Sequence, residues 1–126
     1  MAQRPIAPRA RFQLDVLFKG GPRLKPALTH TVGNQGVFIR TDEQRPMNQL
    51  VRFTVIDPQG GRHLNLMGIV SGCVDPAAAG PGQPPGIDVE LFGNARDVEA
   101  HWRHLMRRVA AWVERGYTSA RCPCYD

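Results

Sequence analysis

The side chains of this 126-residue chain that could do chemistry are four histidines, three cysteines, eleven carboxylates and sixteen lysines and arginines. Cys122 and Cys124 flank Pro123, and His101 and His104 stand three apart in a segment of helical period. Two thiolates and two imidazoles suit tetrahedral zinc, and a spacing of three places two imidazoles on one side of a helix. The single residue between the cysteines is tighter than the usual two to four of a zinc site. No metal is therefore expected, and both histidines are expected to face solvent. Cys73 sits in an alternating segment and is expected to be a small buried hydrophobe. His30, between Thr29 and Thr31, is expected on a strand surface. Neither a GxxxxGK[ST] loop, a GxSxG elbow nor an HExxH helix occurs. With no nameable set of acid, base and nucleophile, the expectation is a protein that is not an enzyme.

The cations are the other chemical resource, and they fall in two groups. Arg4, Arg9, Arg11 and Lys19 lie near the N-terminus; Arg96, Arg103, Arg107, Arg108 and Arg115 lie near the C-terminus. A guanidinium is always charged and forked, which suits phosphates and carboxylates. With a net charge of +5, non-specific nucleic-acid binding is one alternative reading. Few aromatics accompany the arginines, so no stacking platform for single strands is evident. The plainer expectation for the second group is a solvated helix face.

These residues need elements to position them. Phe12, Leu14, Val16 and Phe18 alternate on one strand face, and Gly20-Gly21-Pro22 supplies turn chemistry. Further strands are expected over Ala27–Val32, Val37–Thr41, Leu50–Ile56, His63–Val74 and Gly86–Phe92. Asp57-Pro58-Gln59-Gly60-Gly61 is a hairpin turn. Gly68 and Gly72 predict a bend or bulge in the longest strand. Residues 42–48 and the Pro/Gly/Ala-rich 75–85 are expected as loops, the latter flexible. Val98, Trp102, Leu105, Met106, Val109, Trp112 and Val113 then follow one helical face, with Asn94 as the expected N-cap and Gly116 after the last turn.

Short strands joined by Gly/Pro turns and followed by one helix predict a mainly β fold: a small six-stranded antiparallel β-barrel with one C-terminal α-helix covering a face or an open end. The expected organisation is a flexible arm over 1–10, a barrel and helix over 11–115 and a tail over 116–126. Forty-two per cent of the residues are hydrophobic and 21% charged, a globular composition. No apolar run approaches the ~20 residues that span a bilayer, and residues 1–10 lack the apolar stretch of a secretory signal. An odd, small number of cysteines fits a reducing compartment, so the expected location is cytoplasmic.

The order of these features resembles the PilZ domain family of bacterial barrels, many of which bind cyclic di-GMP. The resemblance is carried by Ala7-Pro8-Arg9-Ala10-Arg11-Phe12 leading into the first strand, by Thr31-Val32-Gly33-Asn34-Gln35-Gly36 before the third, and by Gly86-Ile87-Asp88-Val89-Glu90-Leu91-Phe92 before the helix. It covers roughly residues 8–113. It implies a nucleotide site formed by Arg9, Arg11, Thr31, Gly33 and Gly36. In the family, an RxxxR arm and a [DN]xSxxG linker hold the ligand. Here no RxxxR occurs in the arm. If Arg11 is the second arginine, the first falls on Ala7. Thr31 replaces the acid or amide and Gly33 the serine, while Gly36 keeps the final glycine. Each lost charge-assisted bond is worth about 1.5–3 kcal/mol, so two or three would weaken a micromolar ligand by about three orders of magnitude or more.

The resemblance thus implies a regulatory module that works through protein–protein contacts in bacterial signalling or motility. It carries no cofactor, and cyclic di-GMP binding is lost or much weakened. One alternative is a genuine cyclic di-GMP receptor with a variant site of Arg4, Arg9 and Arg11. The other is the basic nucleic-acid-binding barrel. Gly36 has a plainer reading, as the residue that permits a bend before the third strand.

Overall fold

The computed structural model describes residues 9–19 and 24–120. The expected turn at Gly20-Gly21-Pro22, residues 1–8 of the arm with Arg4 and Ala7, and the tail cysteines Cys122 and Cys124 lie outside the described residues. The elements are β1 (Arg9–Arg11), β2 (Asp15–Lys19), β3 (Leu24–Gly33), β4 (Gly36–Arg40), β5 (Leu50–Ile56), β6 (His63–Val74), β7 (Gly86–Leu91) and α1 (Arg96–Glu114). All strand pairings are antiparallel. They run β3–β2–β5–β6–β7–β4, and β4 returns to β3, which closes a six-stranded barrel. β1 is an added strand on the distal part of β3.

Period two explains the wall. Val16 and Phe18 of β2, Val51, Phe53 and Val55 of β5, Leu64, Leu66 and Val70 of β6, and Ile87 and Val89 of β7 all point inward and are buried. β3 begins at Leu24, three residues before the expected start, and contains Pro26. Pro26 is tolerated because β3 pairs only with β2 there, β4 ending at Arg40 opposite Leu28. The expected irregularity of β6 is a register shift against β7 between Val70 and Gly72.

The expectation for Cys73 is overturned. It stands on the opposite parity from Leu64, Leu66 and Val70, so the alternation that buries them turns it outward. Cys73 pairs with Ile87 near the end of β6 and is exposed, its thiol donating to the Arg45 carbonyl at 3.1 Å. The 75–85 segment, expected to be a flexible loop, contains a 3-10 turn over Pro76–Ala78. The Asp75 carboxylate caps it by accepting from Ala77 N–H.

The first expected strand is interrupted. Phe12 and Leu14 are buried as expected, but they lie in a break between β1 and β2. Thr29 of β3 fills the break: its Oγ1 donates to the Phe12 carbonyl at 2.7 Å and accepts from Leu14 N–H at 2.8 Å. Backbone groups caught in a buried break need such partners. Thr29→Val keeps the shape and strands two buried backbone groups. It is expected to lower stability by about 2–4 kcal/mol, measured by urea unfolding, whereas Thr29→Ser should keep most of the polar contribution.

α1 lies across one end of the barrel, where β3 and β5 finish and β6 begins. Trp102, Leu105, Met106, Val109 and Trp112 merge with the barrel interior in one core, and the rings of Trp112 and Phe12 stack at 5.6 Å. Asp97 and Glu99 in the first turn suit the helix dipole. Gly116, with φ +89°, follows the last turn as expected. Asn94, however, is not the N-cap. Ala95 holds that position without a side-chain bond, and Asn94 pairs with β6 instead. Its Oδ1 accepts from Met67 N–H at 2.8 Å and its Nδ2 donates to the Met67 carbonyl at 2.9 Å, as a neighbouring strand would. No helix among the described residues is long and apolar enough to cross a membrane.

Candidate functional site

The five residues singled out from the sequence come together on one outer face of the barrel. Antiparallel pairing of β1 with β3 sets Arg9 opposite Gly33 and Arg11 opposite Thr31. The β3–β4 and β4–β7 ladders extend this row, with Thr31 opposite Phe38 and Phe38 opposite Asp88. Gly36 stands at the start of β4, under the Arg9 guanidinium. A β-carbon there would lie 2.5 Å from Arg9 Nη2 and 2.8 Å from the Val89 carbonyl oxygen. Gly36 is thus needed for close approach of arginine and backbone rather than for a bend, and its φ is not positive.

Sequence reasoning missed Asp88. Its carboxylate accepts from Arg9 Nη1 in an ion pair. Both side chains are about one-third exposed or less, so solvent screens the pair only in part. The pairing partners lie 79 residues apart, and no local pattern links them. The consequence for chemistry is direct. The arginine that stands over Gly36 already has an anion, supplied by the barrel wall.

Around this pair the face remains basic. Arg11 and Arg40 are exposed. His30 lies between them at the irregularity of β3, edge-on to Phe38 at 6.0 Å between ring centres. Partial burial and the neighbouring positive charges of Arg11 and Arg40 hold its pKa below the usual histidine value, against a backbone hydrogen bond with Gly82 that favours the proton. His30 therefore adds no charge at neutral pH. Phe38 is covered, although it points outward, because Gly86, the diagonal neighbour on β7, leaves room for its ring. Beside Arg9 a cleft of about 310 Å³ runs to α1, lined by Gly33, Asn34, Met106 and Arg107 among others.

The other candidate groups separate. His101 does not face solvent: its Nε2 meets Asp57 Oδ2 at 2.9 Å. His104 is exposed on the helix. Among the described residues no three His, Cys, Asp or Glu side chains are grouped to hold a metal ion. Arg108 departs from the expected solvated face. It donates to both oxygens of Asp57, at 2.9 and 2.6 Å, and lies 6.0 Å from the centre of the Trp112 ring. Asp57 itself is buried in the β5–β6 turn and also accepts from Gln59 N–H. Burial raises the pKa of its carboxyl, but the hydrogen bonds from Arg108, His101 and Gln59 outweigh it and hold the group far below the ordinary carboxylate range. This is a clamp between hairpin and helix, remote from the Arg9 face.

No family model matches the chain, and no curated protein does. Among solved structures, the chain is similar to the Bacillus subtilis inhibitor of motility, MotI/DgrA, with a TM-score of 0.68 and 15% identity over 87% of this chain and 52% of that one. It spans about half the length of that protein. What the two share at this identity is a fold, the closed six-stranded barrel with its C-terminal helix.

Proposed function

We propose that this chain is a PilZ-like regulatory module that acts through protein–protein contacts, in bacterial motility or related signalling in the cytoplasm, with no enzymatic step and no cofactor. The likeness in fold to an inhibitor of motility supports the setting. One observation carries the nucleotide part of this reading: the Arg9–Asp88 pair laid over Gly36. On this reading cyclic di-GMP would have to break an internal ion pair to gain the Arg9 fork. It would meet no hydroxyl at Gly33 and only a short one at Thr31. Arg11 and Arg40 keep the face attractive to anions, but long-range attraction without fixed partners gives little affinity under physiological salt.

Titration calorimetry with cyclic di-GMP at tens of micromolar protein is expected to give no saturable heat. A clear saturable heat overturns the reading in favour of a variant receptor. In that case the Arg9→Ala/Arg11→Ala pair should abolish it. Nucleic-acid binding would show instead as a gel shift that weakens steeply with salt.

A further inference from the structure

The outward face of α1 carries a second feature, which adjoins the cleft beside Arg9. Successive helical turns place Arg96, Arg103 and Arg107 along one line, with Ala100, Ala110 and Ala111 beside them, and all six residues are exposed. At a rise of 1.5 Å per residue the arginines span roughly 16 Å. None of the three makes an ion pair or a side-chain hydrogen bond among the described residues. Glu99 stands one turn before Arg103, yet the two are not paired. Arg103 and Arg107 are instead like charges four apart, an arrangement that disfavours a helix on its own. Two hollows border the line, both on the side that faces Asn34. One of about 440 Å³ borders Arg103 and is lined also by Asn34, Gln35 and Trp102. The cleft of about 310 Å³ borders Arg107 and Ala110.

We infer that this face of α1 docks an acidic helical segment of a protein partner, whose carboxylates meet Arg96, Arg103 and Arg107 while its backbone approaches over the alanines. The inference rests on the protein-contact reading above and assigns it a surface. Charge complementarity selects the occupant. A polyphosphate backbone would meet Asp97, Glu99 and Glu114 along the same helix and would find no exposed aromatic on it, since Trp102 and Trp112 are buried. A lipid surface would need large apolar side chains to insert, and this face offers only alanine. A protein helix can place carboxylates opposite the three arginines and leave the acidic positions unopposed. Its side chains can also enter the two hollows.

The test uses the full chain and a labelled alanine-based peptide with glutamates at i, i+7 and i+11. A second peptide has the same composition with the glutamates spread round the helix. Fluorescence anisotropy at low salt is expected to show saturable binding of the first peptide. That binding should be weakened about tenfold or more by Arg103→Glu/Arg107→Glu and little changed by Arg52→Glu on the exposed face of β5. Chemical-shift changes should fall on residues 96–111. Should the double reversal fail to fold, Arg103→Gln/Arg107→Gln gives the same comparison. Equal binding of both peptides, no binding, or insensitivity to the arginines overturns the inference. So does tighter, arginine-dependent binding of a duplex DNA or of anionic vesicles. Because Arg9 and Arg107 border one cleft, the variants keep the two ideas apart: a nucleotide heat would be lost in Arg9→Ala/Arg11→Ala, whereas peptide binding depends on Arg103 and Arg107.

Discussion

Asp57→Ala is expected to cost about 3–5 kcal/mol of folding stability, a large share of the ~5–15 kcal/mol available to a domain. The carboxylate is nearly inaccessible, and Arg108 and His101 both direct hydrogen bonds at it. Its removal leaves the Arg108 guanidinium facing an emptied, partly buried site. Arg108 Nε already lacks a partner, so the charge would depend still more on solvent. Urea unfolding of the single variants and of Asp57→Ala/Arg108→Ala measures this. The double variant should cost clearly less than the sum of the singles. The pH dependence has a definite sign. Because folding depresses the Asp57 pKa, its stabilisation is present above the unfolded-state value near 4 and is lost progressively as pH falls below it. The wild type should therefore weaken in acid more steeply than Asp57→Ala. Parallel acid limbs would refute the assignment of this clamp.

Trp102→Ala carries the second large effect, expected at about 3–5 kcal/mol. The indole is buried among barrel and helix side chains, and its Nε1 donates to the Gly33 carbonyl at 3.0 Å. Trp102→Phe separates the two contributions: it keeps most of the apolar volume and strands the carbonyl, for about 1–3 kcal/mol. Gly33 is opposite Arg9, so this one hydrogen bond also fixes the corner on which the candidate site stands. Thermal unfolding checks the stability. If Trp102→Phe proves as damaging as Trp102→Ala, the hydrogen bond rather than packing holds the helix down.

Much of the wall was legible because burial on one face imposes a period of two, as in β5 and β6, and on one helical stripe a period near 3.6, as in α1. Gly72 announced an irregularity because a side-chain-free residue in a long strand has few other uses. The misses share a cause. Asn94 has the chemistry of an N-cap, but a backbone edge at Met67, 27 residues away, competes for the same amide. Asp57 was readable as a turn residue, whereas its ties to Arg108 and His101 cross 51 and 44 residues. Cys73 went wrong because its burial was inferred from residue type, whereas its parity in β6, opposite to that of Leu64, Leu66 and Val70, turns it outward. For the candidate site, strand pairing brings Arg9, Arg11, Thr31, Gly33 and Gly36, named from the sequence, to one face. The sequence held no sign of Asp88, whose neighbourhood with Arg9 exists only once the ring of strands is closed.

The position of α1 has a consequence for biosynthesis. Every strand of the ring precedes the helix in the chain, so on the ribosome the barrel can be complete while its stopper is still in the exit tunnel. Through that interval one mouth stands open on Phe12 and Leu66, and the Asp57 carboxylate waits without its cations. The nascent chain is then most exposed to aggregation, and emergence of α1 from the tunnel ends that hazard.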